Sequence, residues 1–172
     1  MCRPCFSRCS KSTSVSLQRS RQTSSPKVTK EWQRILARLR RNGPTQTSEY
    51  VAGLIQPGNY PLGVGVRLIE RLMRSGEYDA AGRIIEAVDF ANQQHPLVDE
   101  LHAAWLWCTG RKREAISFAK RTAKRWMRSY LFRQLGAFYD LDGDKKKASR
   151  CFQIAGALEL RQEKNWIPAV CL

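Results

Sequence analysis

Acid is what this sequence has little of. Fifteen Asp and Glu stand against thirty Lys and Arg, a net charge of +15, and none of the fifteen falls within residues 1–30. That imbalance points to something acidic as a partner (nucleic acid, a membrane surface or an acidic protein) without choosing among them. Long apolar runs are also missing. None approaches the length a transmembrane helix needs, so a membrane span is not expected. Histidine is limited to His95 and His102. The C-x2-C-x3-C of Cys2, Cys5 and Cys9 therefore has no fourth ligand near it, and it reads as an incidental cluster rather than a zinc site. No apolar h-region of a secretory leader is present, so a disulfide framework is not expected. Cys108 and Cys151 lie in apolar helical stretches and read as small core residues.

Catalytic motifs are lacking too. There is no P-loop, no H-E-x-x-H and no nucleophile elbow. Gly63-Val64-Gly65 has neither a preceding strand nor a third glycine, so it is no dinucleotide fingerprint. Asp140, Asp142 and Asp144 alternate like the start of an EF-hand loop, yet Lys145 and Cys151 occupy the places that need Gly and Glu. These aspartates are expected to shape a turn and cap the helix after it. His102 falls on an apolar helical face and reads as a core histidine. Neither an enzyme nor a cofactor is expected.

What is present is helical periodicity, and it begins after a tail. Residues 1–30 hold seven Arg and Lys and eight Ser with no helical or strand period, the composition of a disordered basic tail. An Arg- and Ser-rich, acid-free N-terminus also has the composition of a mitochondrial or plastid transit peptide. The default compartment is the cytoplasm, with the mitochondrial matrix as the alternative. Residues 31–61 read as an amphipathic helix and a breaker-rich linker. Trp32, Ile35, Leu36 and Leu39 share one face over Glu31 to Arg41, with Arg34, Arg38, Arg40 and Arg41 on the other side, and Asn42-Gly43-Pro44 is expected to end the helix. Such a helix can lie on an acidic membrane or bind a partner, and the favoured reading is a cap that covers the end of a repeat array. A short helix with Ser48 as its N-cap is expected next, ended by Pro57, Gly58 and Pro61.

Residues 62–167 carry a repeat. Turn glycines fall at Gly76, Gly110 and Gly143, and each is followed five positions later by alanine: Ala81, Ala115 and Ala148. The interval between the glycines is nearly constant, at about 34 residues, which is the period of helix-turn-helix repeats. Apolar faces flank each turn. Leu68, Ile69 and Leu72 lead to Ala81, Ile85 and Val88, and His102, Ala103 and Leu106 lead to Ala115, Ala119 and Thr122. A hairpin of this kind cannot bury its apolar face alone and is stabilised by stacking on its neighbours.

The third copy is the clearest. Phe132, Leu135, Gly136 and Tyr139, then Ala148, Phe152 and Ala155, give F-x2-L-G-x2-Y and A-x3-F-x2-A, with every named position in register. This resembles the tetratricopeptide repeat (TPR), with Phe132 in place of the usual Trp. The resemblance is clearest over residues 129–160 and degenerate over 62–128, where Gly65 and Asp99 replace aromatics. It implies an all-α, right-handed solenoid of about three TPR-like helical hairpins, with an N-terminal cap helix and a disordered basic tail.

The resemblance also implies a partner groove lined by the first helix of each hairpin. Projected onto this chain, the lining is Val66, Glu70 and Met73, then Glu100, Ala104 and Trp107, then Tyr130, Arg133, Ala137 and Asp140. Trp107 and Tyr130 are the candidate anchors. The Lys and Asn set with which some TPR domains clamp a C-terminal carboxylate is met only by Arg133, while Ala104 and Ala137 stand where Asn is needed. A chaperone-adaptor role is therefore not expected.

Between Arg111 and Arg133 nine basic residues face one acid, Glu114. Lys120, Lys124 and Arg128 are expected one helical turn apart on a single face, with Arg121 and Arg125 beside them and Trp126 at hand for stacking. The reading is a non-catalytic scaffold or adaptor that binds a peptide or protein in its groove. The alternatives are an RNA- or ribosome-associated repeat protein using the basic stripe 111–133, and a recognition module of or beside a larger enzyme.

Overall fold

The computed structural model describes residues 26–55, 62–91 and 94–164. The described residues form seven α-helices and no strand. These are α1 (Pro26–Ile55), α2 (Leu62–Ser75), α3 (Tyr78–Phe90), α4 (Pro96–Cys108), α5 (Lys112–Trp126), α6 (Ser129–Leu141) and α7 (Lys145–Lys164). They group into two compact units that divide between Ala115 and Ile116, within α5. Residues 1–25, with Cys2, Cys5 and Cys9, lie outside the described residues, as do Pro57, Gly58 and Pro61.

The three expected turns are one turn built three times. Gly76, Gly110 and Gly143 have φ of 82°, 85° and 93°, a left-handed conformation that a Cβ disfavours. The glycine N–H donates to a carbonyl three residues back, and the next N–H donates to one five residues back. The pairs are Gly76 to Met73 and Glu77 to Leu72, Gly110 to Trp107 and Arg111 to Leu106, then Gly143 to Asp140 and Asp144 to Tyr139. This pair of hydrogen bonds closes the carbonyl end of each first helix. The second helix then starts in the same register, with the N–H groups of Ala81, Ala115 and Ala148 bonded to Glu77, Arg111 and Asp144. All three alanines are buried.

Helix α1 departs from the sequence reading. It starts at Pro26, so residues 26–30 are helical rather than tail. Proline suits a first helical position because its φ is already helical and its missing N–H is not needed there. Gly43 does break the helix, with φ 78° and ψ 175°, but Pro44 opens a second helical arm that reaches Ile55. Ser48 is thus not an N-cap. It is fully buried inside the second arm, and its hydroxyl donates to the Thr45 carbonyl at 2.7 Å. The neighbouring Thr47 hydroxyl donates to the Gly43 carbonyl at 2.7 Å. Bonds to the preceding turn let both hydroxyls sit in the core without an orphaned donor. Gly43 precedes Gly76 by the same interval that separates Gly110 from Gly143, and the buried small residue five positions on is Ser48 where the later copies have Ala. The breaker-rich stretch therefore holds a fourth left-handed glycine at the repeat period, although Pro44 has no N–H with which to complete the paired hydrogen bonds of the other three turns.

In the first unit α1 packs on α2 and α3, α2 on α3 and α4, and α3 on α4. The core is aliphatic: Ile35, Val51, Ile55, Val64, Leu68, Ile69, Leu72, Ile84, Ile85 and Val88 are almost wholly buried. Each such side chain contributes about 1.5–3 kcal/mol by burial. Small residues set the helix spacing. A Cβ on Gly82 would lie 2.7 Å from Cζ2 of Trp105, whose Nε1–H is tied to the Tyr78 carbonyl at 2.9 Å.

In the second unit α6 packs along α7. Leu131, Phe132, Leu135 and Phe138 of α6 and Ala148, Cys151 and Ala155 of α7 are buried. Gly136 sits under the Phe152 ring, where a Cβ would lie 2.8 Å from Cε1. Here the small residue of the TPR-like pattern receives the large one, as its spacing implies.

Candidate interaction surfaces

In the first unit the residues projected onto a groove are closed off. Glu70, Met73, Glu100, Ala104 and Trp107 are all buried, Trp107 to 4% exposure, and only Val66 is half-buried. Lys112 Nζ lies 5.5 Å from the centroid of the Trp107 ring. Glu70 accepts a hydrogen bond from Arg74. Glu100 is 5% exposed, and its carboxyl is pushed from an ordinary 4.5 up to about 8, first by loss of water and second by the charge of Glu70. A buried carboxylate beside another acid favours its neutral form. Trp107 therefore cannot serve as a surface anchor while this unit is packed.

In the second unit the corresponding stripe is open. Tyr130, Arg133 and Ala137 are half-buried and Asp140 is exposed. Their spacing of three, four and three residues puts them on one face of α6, opposite Leu131, Leu135 and Phe138. The stripe is chemically mixed. Arg133 donates to Glu159 on α7, and Asp140 pairs with Lys145 at 2.7 Å. Among the described residues of this unit, five large apolar side chains are exposed: Met127, Leu141, Phe152, Ile154 and Leu160.

The basic residues Lys120, Arg121, Lys124, Arg125 and Arg128 are all exposed. Helix α5 does not carry the row that their spacing suggested. It ends at Trp126, Met127 turns the chain with φ 48°, and Arg128 is extended at the N-cap of α6. A residue in an extended cap no longer follows the helical period, so Arg128 leaves the line of Lys120 and Lys124. The remaining face is cationic, opposite the buried Ala119, Thr122 and Ala123. Arg121 lies over Phe118 at 5.6 Å and Arg125 over Trp126 at 5.3 Å. Among the described residues no carboxylate pairs with Lys120, Lys124 or Arg128.

The aspartates behave as turn chemistry. Asp144 Oδ1 accepts from the Lys147 backbone N–H at 3.0 Å and Oδ2 from its ammonium at 2.6 Å. These bonds hold the Asp144 carboxyl below its usual range. Among the described residues no group of three His, Cys, Asp or Glu is assembled for a metal. His102 is half-buried, with Nδ1 3.1 Å from Asp89 Oδ2. Cys151 is buried and its thiol pushed up by burial, whereas Cys108 is only half-buried. His95 had no role in the sequence reading. Its Nδ1 accepts from Leu97 N–H at 3.2 Å and caps α4, with Pro96 at the first helical position, and the pair His95-Pro96 was the available signal.

Paired helices joined by the same glycine turn at a fixed interval place the chain in the class of all-α, TPR-like repeat solenoids. A solved structure titled MamA MSR-1 C2, a TPR-type protein, is similar over 91% of this chain and 92% of its own, with a TM-score of 0.55 and 18% identity. At that identity the likeness is one of fold. No family model matches the chain, and a search of curated proteins gives no match. No helix among the described residues is long and apolar enough to cross a membrane.

Proposed function

We propose that this chain is a non-catalytic interaction module that docks a peptide or protein segment on the second unit, along Tyr130, Arg133, Ala137 and Asp140. The observation that carries this reading is the half-exposed stripe on α6, tied to α7 through Arg133 and Glu159 and bordered by the exposed Phe152 ring that lies over Gly136. An aromatic flanked by one guanidinium and one carboxylate suits an extended or helical segment with an apolar anchor and polar neighbours. Residues 116–164 carry twelve Lys and Arg against five Asp and Glu, net +7, which favours an acidic partner. The test is affinity enrichment from the native cell followed by titration of the recovered partner. Tyr130→Ala is expected to weaken binding about tenfold or more, and Ala137→Gln to weaken it by obstruction. Binding unchanged in both variants, with each shown to be folded, would remove the reading.

A second reading, nucleic-acid binding, is favoured by one observation: an exposed cationic face on α5 with arginines over Phe118 and Trp126. Phosphate contacts from Lys120 and Lys124 would give strongly salt-dependent affinity, and replacing both by Gln would lower the slope of log affinity against log salt by about 1.5. An unchanged slope excludes this use of the face.

A further inference from the structure

A hollow of about 310 Å³ lies between the two arms of α1, lined by Glu31, Arg34, Ile35, Arg38, Arg41 and Tyr50, with Ala37 and Asn42 completing it. We propose that this hollow is a binding site for a phosphate monoester dianion. The site is separate from the α6 stripe and does not rest on the function proposed for it.

Three features carry the proposal. First, Arg34, Arg38 and Arg41 stand at i, i+4 and i+7, so one face of the first arm turns three guanidinium groups to the same space. Like charges so placed repel unless an anion joins them. The one acid in the lining, Glu31, meets Arg34 at 3.2 Å, which leaves two cationic charges uncompensated. A phosphate monoester carries about −1.5 to −2 near neutral pH and matches that surplus, whereas a carboxylate supplies half of it.

Second, Arg38 is held in place. Its guanidinium carbon lies 3.9 Å from the centroid of the Tyr50 ring, so the second arm fixes the plane of the fork. Third, the Nε–H of Arg38 is buried with no hydrogen-bond partner. A buried donor left without an acceptor costs roughly 1–3 kcal/mol, and an oxyanion held by the same guanidinium is the acceptor that chemistry prefers. Arg41 is exposed, and among the described residues it forms no ion pair.

Calorimetric titration of the full chain tests this, at constant ionic strength, with O-phosphoserine, inorganic phosphate and acetate as probes. Saturable binding is expected for both phosphate probes, with acetate weaker by about tenfold or more. Arg38→Gln and Arg41→Gln are each expected to weaken phosphoserine affinity by about tenfold, and Arg150→Gln, at an exposed position on α7, to leave it unchanged. Arg41 is exposed, so Arg41→Gln decides the matter even if Arg38→Gln folds poorly. Affinity should fall severalfold between about pH 7.5 and about pH 5, as the monoester passes through its second pKa of about 6. No saturable phosphate binding, or equal binding in Arg41→Gln, overturns the proposal. So does displacement of phosphoserine by an equal phosphate concentration of an oligonucleotide lacking terminal phosphates, because that chain carries only diesters. Failure of the oligonucleotide to compete supports it.

Discussion

The two units use the same hairpin in opposite ways. In the first, the face that TPR-like geometry assigns to a partner is closed: Met73, Ala104 and Trp107 are in the interior, and two carboxylates, Glu70 and Glu100, are buried with them. In the second, the equivalent face on α6 is half-exposed, and large apolar residues on α7 remain in water. Net charge does not separate the units, at +8 for residues 1–115 and +7 for residues 116–172; only within the repeat does it differ, where residues 62–115 carry seven Lys and Arg against eight Asp and Glu, net −1. A repeated backbone thus sets where side chains can go, and the side chains decide whether the face is core or surface. The first unit is expected to respond to substitution through stability and the second through binding.

The largest expected effect is on the buried acid. Between pH 4.5 and about 8 the folded chain keeps the Glu100 proton that the unfolded chain has lost. The folded state then binds more protons, so stability falls as pH rises through that window. At about 1.36 kcal/mol per pKa unit the loss is on the order of 4–5 kcal/mol. Glu100→Gln, which keeps the neutral shape, should remove that part of the slope in chemical denaturation across pH. A variant with an undiminished slope would show that Glu100 is not held neutral.

Truncating the two aromatics separates the units next. Trp107→Ala should cost about 3–5 kcal/mol of stability in a urea melt, as for a buried large side chain. Tyr130→Ala should cost about 1 kcal/mol or less and act on partner affinity instead. Similar stability losses from both would erase the distinction between a closed and an open face.

The two glycine contacts sharpen it further. Gly82→Ala drives a Cβ to 2.7 Å from a Trp105 ring that is hydrogen-bonded in place, with an overpacking cost of about 1–3 kcal/mol. Gly136→Ala meets Phe152, which is 44% exposed and has room to swing outward. The ~1 kcal/mol helical advantage of Ala over Gly then offsets most of the clash, and the net change should be close to zero. Equal destabilisation of the two variants would mean that Phe152 is held as firmly as Trp105. The smallest effect is expected at the cationic face, where Lys120→Gln/Lys124→Gln should change stability by no more than about 0.5 kcal/mol.

Much of the fold was legible because turn chemistry is local. Gly76, Gly110 and Gly143 with their alanines five positions on mark both the left-handed turn and the small contact that starts the next helix. Gly136 and Phe152 were legible for the same reason. Gly43 was readable as a breaker but not as a left-handed glycine of the same period, because Pro44 follows it and Ser48 replaces alanine. The hydroxyls that make Ser48 and Thr47 tolerable in the core bond to carbonyls three and four residues back, a pattern that composition does not reveal. The site was less legible. Residue spacing gives the face of a helix, but whether that face is covered depends on its neighbours, and so Trp107 and Tyr130 look alike in sequence yet differ in exposure. Arg128 left its row because helix α5 stops two residues earlier, at a turn with no glycine or proline to announce it.

Docking of a protein partner on the α6 stripe is the proposed use of the open face. Affinity enrichment of the full chain from its own cell, with and without nuclease, tests this most directly in three forms: unaltered, Tyr130→Ala/Ala137→Gln, and Lys120→Gln/Lys124→Gln. The expected result is a protein partner that survives nuclease and is lost from the Tyr130→Ala/Ala137→Gln form. Retention that nuclease abolishes, that Lys120→Gln/Lys124→Gln abolishes, and that is indifferent to Tyr130→Ala/Ala137→Gln would contradict it.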